Sequence, residues 1–310
     1  MQPKAEWTAH AVSDAAPKTF RHLARLAVCW LAPTLTVLGG TERADEWETA
    51  RALYEARQYR TARTSFEQLA AGRAPDAELD FYLGRLALWF DDEAAALTHL
   101  ERAARLAPAA ARIQNALGDA FGLAAQNADL LSKYSWAKKC RAAYERAVAL
   151  EPGNPAYRWS LLGYYLVAPR IAGGGEQRAL AQAEEIWRLD PMNGRIARAT
   201  ICLAEKRPDA AFAQFDEVLR QNPTDFIALY HVGRCAALSG EQLDRGLGAL
   251  RRCLGLTPPV GDGLPAYANV HYRIANILEK KGEARGAKEE YAAALRANAD
   301  FRPEKMALKN

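Results

Sequence analysis

From about residue 44 to residue 300 the chain alternates periodic apolar runs with short polar breaks. Leu83 and Ala87 are followed, past Asp91-Asp92, by Ala96, Leu100 and Ala103. Val232 and Ala236 are followed, past Gly240, by Gly246, Leu250 and Cys253. Steps of three and four residues put these side chains on one face of a helix, whereas a strand would need alternation by two. The breaks carry Gly, Pro or acids, which end one helix or open the next. The pattern predicts short helices in pairs and no strands.

The same register returns along the chain. Leu83-Gly84, Ala87, Ala96, Leu100, Ala103 and Pro108 are matched by Leu117-Gly118, Phe121, Cys140, Tyr144, Ala147 and Pro152. Then come Trp159, Leu162-Gly163, Leu166, Ala179, Ala183, Ile186 and Pro191, and after them Ala199, Cys202, Ala211, Phe215, Val218 and Pro223. Val232-Gly233 through Pro258 and Ile274-Ala275 through Ala294 close the series, and Ala50 to Leu69 forms a looser first unit. That makes seven units. The pattern resembles the tetratricopeptide repeat, W-x2-L-G-x2-Y, then A-x3-F, then a closing Pro, on a period of about 34 residues. The resemblance implies an all-α, right-handed superhelical α-solenoid of about seven helix–turn–helix units over residues 41–302, followed by a tail at 303–310. It also implies a protein or peptide partner held on the concave face.

The slots have a physical reading of their own. Small residues at Gly84, Gly118, Gly163 and Gly233, and at Ala62, Ala96, Ala179 and Ala211, sit where two helices cross and let their axes approach closely. Larger Leu, Phe and Tyr fill the groove to the next unit. Gly240 and Gly282 suit left-handed helix ends, and the prolines at 108, 152, 191, 223 and 258 block continuation of each second helix. One unit cannot bury its apolar face alone, so stability has to come from stacking.

Two units are longer than the rest. Pro108 and Pro152 stand 44 residues apart, and the excess falls in Ala124–Lys139, where Tyr134 and Trp136 lie beside Lys133, Lys138 and Lys139. That segment has helical periodicity and should lengthen one or both helices. Its aromatics either pack the longer helices or meet a partner or lipid headgroups. The second excess is the loop Ala168–Ala179. Gly173, Gly174 and Gly175 with Arg178 and Arg170 form either a tight turn or a small-anion site on backbone N–H groups.

The first helices also carry a polar and aromatic line on the side away from the small residues. It comprises Phe81, Arg85 and Trp89; Arg112, Asn115 and Asp119; Tyr157, Ser160 and Tyr164; Ile196 and Thr200; Tyr230 and Arg234; and Asn269, Tyr272 and Asn276. Tyr, Arg and Asn suit peptide binding better than the Lys and Glu of an ordinary solvated face. The alternative is that some of them pack between units. The Lys/Asn clamp for a terminal carboxylate is not matched, and Arg85 and Arg112 with Asn115 is its nearest approximation.

Residues 1–40 carry Lys18, Arg21 and Arg25 before an apolar run from Leu26 to Leu38, then Gly39-Gly40. This is the order of a secretory signal, and the run is too short for a spanning helix of about 20 residues. The expectation is export to the periplasm, with a retained membrane anchor and a tethered assembly factor as the alternative. The whole chain has 41 Lys and Arg against 37 Asp and Glu, a formal charge of +4. That balance lacks the basic face nucleic acid needs.

Candidate chemistry is thin. His99, His231 and His271 stand at no metal-ligand spacing, and no nucleophile elbow or phosphate loop occurs. No catalytic residue, metal or cofactor is expected. Asp91-Asp92 with Glu93 reads as helix capping. Cys140, Cys202, Cys235 and Cys253 read as small buried residues, with Cys235 and Cys253 the first pair to test for a disulfide in an oxidising compartment.

Overall fold

A computed structural model describes residues 38–260, 264–299 and 301. The export segment up to residue 37 and the tail at 303–310 lie outside the described residues. Within them are fourteen α-helices and no strand, arranged as the seven expected pairs. The pairs are α1 Leu38–Glu55 with α2 Tyr59–Ala70, α3 Ala77–Trp89 with α4 Glu93–Leu106, and α5 Ala111–Asn127 with α6 Leu130–Leu150. They continue as α7 Pro155–Val167 with α8 Glu176–Leu189, α9 Pro191–Ala204 with α10 Pro208–Gln221, α11 Phe226–Ser239 with α12 Leu243–Leu254, and α13 Tyr267–Lys280 with α14 Ala284–Ala297. No described helix is long and apolar enough to cross a membrane.

The helices group into two compact units, one ending at Trp136 and the other beginning at Ala137. The division falls inside α6, in the first of the two lengthened stretches. There both helices of the pair have grown: α5 has 17 residues and α6 has 21, against 13 in α3 and in α7. Trp136 turns back onto Phe121 with ring centroids 5.8 Å apart, which is the packing reading of that segment, while Tyr134 is exposed.

First and second helices differ in how much they bury. Ten residues of α11 are buried but only three each in α4, α8 and α14, so these second helices present one narrow apolar stripe while α11 is largely enclosed; α9, with four, is the least buried first helix from α3 onward. The stripe Ala96, Leu100, Ala103 steps by four and three, as one face of a helix requires. In the unit ending at Trp136 the core is aromatic: Phe66 stacks on Tyr82 at 4.8 Å, and Trp47 meets both rings edge-on. In the other unit a continuous cluster runs from Ala199 through Phe212, Phe215, Leu229 and Leu250 to Tyr291.

The small slots do what their size implies. A methyl on Gly84 would meet Leu100, one on Gly233 would meet Leu250, and one on Gly246 would meet Ala236, so each glycine sits at a helix crossing. Gly240 and Gly282 have φ of 81° and 79°, the left-handed conformation expected after α11 and α13. Asp76, Asp92, Asp190 and Asp225 each accept a backbone N–H at the start of a helix. Asp91, beside Asp92, instead takes φ of 57° in the turn after α3. Pro191 ends α8 and also opens α9, because Asp190 closes one helix and caps the next.

Candidate functional site

Within the first unit the polar line is held together across neighbouring first helices. Arg85 on α3 places Nη1 3.3 Å from Asp119 Oδ2 on α5, and its Nε lies 3.4 Å from the hydroxyl of Tyr54 on α1. Arg112 on α5 pairs with Glu78 on α3 and lies over the ring of Phe81, 5.0 Å from its centroid. Both ion pairs join residues 34 positions apart, so they link the same slot of consecutive units. Phe81 itself is buried. Trp89 is half-buried with its ring 4.3 Å from that of Tyr59. Asn115 is half-buried too, and its Oδ1 is enclosed without a hydrogen-bond partner.

The second unit divides the line differently. Tyr157, Tyr164 and Tyr230 are buried, so they pack instead of offering a surface. Tyr164 donates its hydroxyl to the carbonyl of Ala172 at 2.7 Å and so fastens the loop after α7. The hydroxyl of Ser160 turns to Ala156 O at 3.4 Å, and the amide of Asn269 accepts the N–H of Ala266 at the start of α13. What remains partly exposed is a group on α9, α11 and α13: Thr200, Arg234, Tyr272 and Asn276, with Ile196 beside Thr200. Arg234 Nη1 donates to Thr200 Oγ1 at 3.3 Å, again across 34 residues. Asn276 accepts from Arg273 Nη1 at 3.2 Å and donates to the Tyr291 hydroxyl at 2.9 Å.

The electrostatics of that group are one-sided. Burial lowers the pKa of the Arg234 guanidinium from its ordinary value, and the charge of Arg273 lowers it further. Arg273 lies over Tyr272, 5.0 Å from the ring centroid, and its Nε is enclosed without a hydrogen-bond partner. Among the described residues neither guanidinium forms an ion pair with a carboxylate.

The glycine loop does not offer its amides to an anion. The N–H of Gly173 donates to Arg170 O, that of Gly174 to Pro169 O and that of Gly175 to Tyr165 O. Arg178 donates to Gly173 O, and Arg141 Nη1 reaches Ala172 O at 3.5 Å. The anion-site expectation for Gly173, Gly174, Gly175 and Arg178 is thereby corrected: donors that such a site would need close the turn instead. Gly174 is needed for close approach, since a methyl there would collide with the carbonyl of Ala168.

Sequence reasoning overlooked a second set of polar ties, inside the pairs. Asp80 on α3 is only 2% exposed and binds His99 Nδ1 at 2.8 Å and Arg102 Nε at 2.5 Å, both on α4. His271 on α13 meets Glu290 on α14 at 2.6 Å, and Arg195 on α9 donates to Gln214 O on α10 at 3.1 Å. Asp80, Arg195 and His271 all stand four residues before the small crossing residue, and each reaches a partner 19 residues on. The recurrence was available as a signal only by aligning polar positions as strictly as apolar ones. It also accounts for His99 and His271 as struts between paired helices.

All four described cysteines are free thiols, so Cys235 and Cys253 are not paired, and Cys140, Cys235 and Cys253 are buried as their small-residue slots suggested. Burial raises the pKa to about 11 for Cys235 and about 12 for Cys253. Among the described residues no cluster of three His, Cys, Asp or Glu side chains could hold a metal ion.

No model of a protein family matches the sequence, and no curated protein matches it significantly. Solved structures do match. A tetratricopeptide-repeat protein of Parabacteroides merdae superposes with a TM-score of 0.55 at 13% identity, covering 87% of this chain and 98% of its own. A thermophilic tetratricopeptide-repeat protein of Thermus thermophilus superposes with a TM-score of 0.50 at 19% identity, covering 68% of this chain and 99% of its own. The chain has the tetratricopeptide-repeat fold. At these identities the likeness extends to the fold alone. The placement of the crossing glycines and alanines is thus explained by the repeat architecture.

Proposed function

We propose that the protein is a non-enzymatic interaction scaffold that holds a peptide or protein partner along its first helices. One observation carries this reading. The position immediately after the crossing residue holds Arg85, Asp119, Thr200, Arg234 and Asn276 on α3, α5, α9, α11 and α13, each polar and only half-buried. Helix positions so close to a core are normally apolar; here Arg85 with Asp119 and Arg234 with Thr200 form polar links from one first helix to the next, and a partly exposed polar line of this kind suits contact with a peptide backbone or side chain. Tyr164 on α7 is the exception in the row, because it is buried and its hydroxyl fastens the loop after α7. The partner is met in the cell envelope, after export directed by residues 1–40. A retained anchor would make the protein a tethered assembly factor on the same membrane face.

The test is selection from a displayed library of linear peptides, followed by replacement of Arg85, Arg234 and Asn276 by Ala together. Selected peptides should lose binding to the triple variant while its circular dichroism keeps the helical signal. Undiminished binding by a folded triple variant would sink the first-helix assignment.

A further inference from the structure

The group on α9, α11 and α13 holds two positive charges that no carboxylate among the described residues neutralises. Arg234 and Asn276 occupy the same slot of neighbouring first helices, one residue after Gly233 and Ala275, and α11 packs on both α9 and α13. Arg273 is brought to that slot by its hydrogen bond to Asn276. A guanidinium carries five N–H donors. Arg234 has one bond, to a hydroxyl at 3.3 Å, and Arg273 has one to an amide, with its Nε enclosed and unpartnered. Other arginines on the first helices meet carboxylates, Arg85 with Asp119, Arg112 with Glu78 and Arg198 with Glu184, while Arg195 bonds the carbonyl of Gln214 and lies over the Trp187 ring. A charge removed from water without a counter-charge is costly. Two such charges together make a site that gains when an anion enters. The side chains of Arg234 and Arg273 stay partly exposed, so an anion can reach them.

We infer that Arg234 and Arg273, with Thr200 and Asn276 beside them, form a binding site for the side-chain carboxylate of an acidic peptide. A carboxylate suits the place because a guanidinium grips it through two parallel N–H···O bonds. Thr200 Oγ1 already donates to Ile196 O at 2.8 Å, so it steadies Arg234 as an acceptor and leaves the outer guanidinium donors for the ligand. The inference rests on the peptide-holding reading and adds the chemistry of what is held.

The probe is a fluorescent peptide of alternating Glu and Gly, acetylated and amidated so that only side chains are charged, titrated against the full chain. Its Gln counterpart and a Gln peptide with a free C-terminus are the controls. The Glu probe should bind and both controls should not. Arg234→Gln or Arg273→Gln should each weaken it about tenfold or more, since hydrogen bonds to charged groups are the strong ones. Each variant should melt no lower than the wild type, because removing one of two unneutralised like charges relieves repulsion. Equal binding of all three peptides, equal binding of the Glu probe by the Gln variants, or a preference for the free-terminus control would overturn the assignment. So would no binding of any of the three. If the displayed library still yields binders without Asp or Glu enrichment, only the carboxylate assignment falls. If it yields none, the peptide-holding reading falls with it.

Discussion

Asp80 keeps a charge with almost no solvent around it. Burial pushes its pKa up, but hydrogen bonds from Arg102 and His99 outweigh that and hold the carboxyl below its ordinary range. A carboxyl with a lowered folded pKa adds stability that is present above the unfolded value of about 3.9 and is lost as pH falls through the folded one. Replacing Asp80 by Ala should therefore cost roughly 1–3 kcal/mol at pH 7, less than for a fully buried pair because Arg102, left without its partner, is 38% exposed. In thermal melts the gap between variant and wild type should close below about pH 4; a gap that persists undiminished to pH 2 would assign the loss to packing instead. The thiols give a second prediction at this scale. With pKa values raised to about 11 and about 12, Cys235 and Cys253 hold almost no thiolate at neutral pH. Titration with a disulfide reagent at pH 8 should label the half-buried Cys202 before either of them, and should reach both only after unfolding in guanidinium.

At the scale of the element, the crossing glycines were legible in the sequence because the constraint recurs. A contact made by every pair in the same way prints the same small residue at the same register, as Gly84 and Gly233 show against Leu100 and Leu250. Gly233→Ala should destabilise the protein by about 1–3 kcal/mol, the usual cost of overfilling a packed core, in denaturant melts. Gly248, on the exposed face of α12 with open space around its Cα, is the counterpart. Gly248→Ala should stabilise by about 0.5–1 kcal/mol, since only helix propensity changes there. If both substitutions shift stability alike, the crossing argument fails. The loop at 168–179 was not legible in the same way. Three glycines before a helix read equally as an anion cradle and as a turn, and only the hydrogen bonds of their amides to Arg170, Pro169 and Tyr165 separate the two. Likewise the long α5–α6 pair was visible as extra residues, but the return of Trp136 onto Phe121 was not.

At the scale of the whole molecule, the export expectation makes a direct prediction. Protein recovered from the cell envelope should begin near Thr41 by N-terminal sequencing, and an intact Met1 would leave the tethered alternative. Within the described residues, the sequence by itself determined the helical class, the seven pairs and the residues at their crossings. These depend on the period of apolar positions and on side-chain size, both of which are local and repeated. It could name the polar line on the first helices but could not sort it. Tyr157 and Tyr230 are buried in the core while Arg234 and Asn276 stay partly exposed, although all four sit on the same type of helix. That sorting, the ties from Asp80 to α4 and the unneutralised meeting of Arg234 with Arg273 were decided by tertiary structure. Burial, hydrogen-bond partners and charge balance depend on neighbours 19, 34 or more residues away, and a one-dimensional pattern specifies those neighbours only once the helices have stacked.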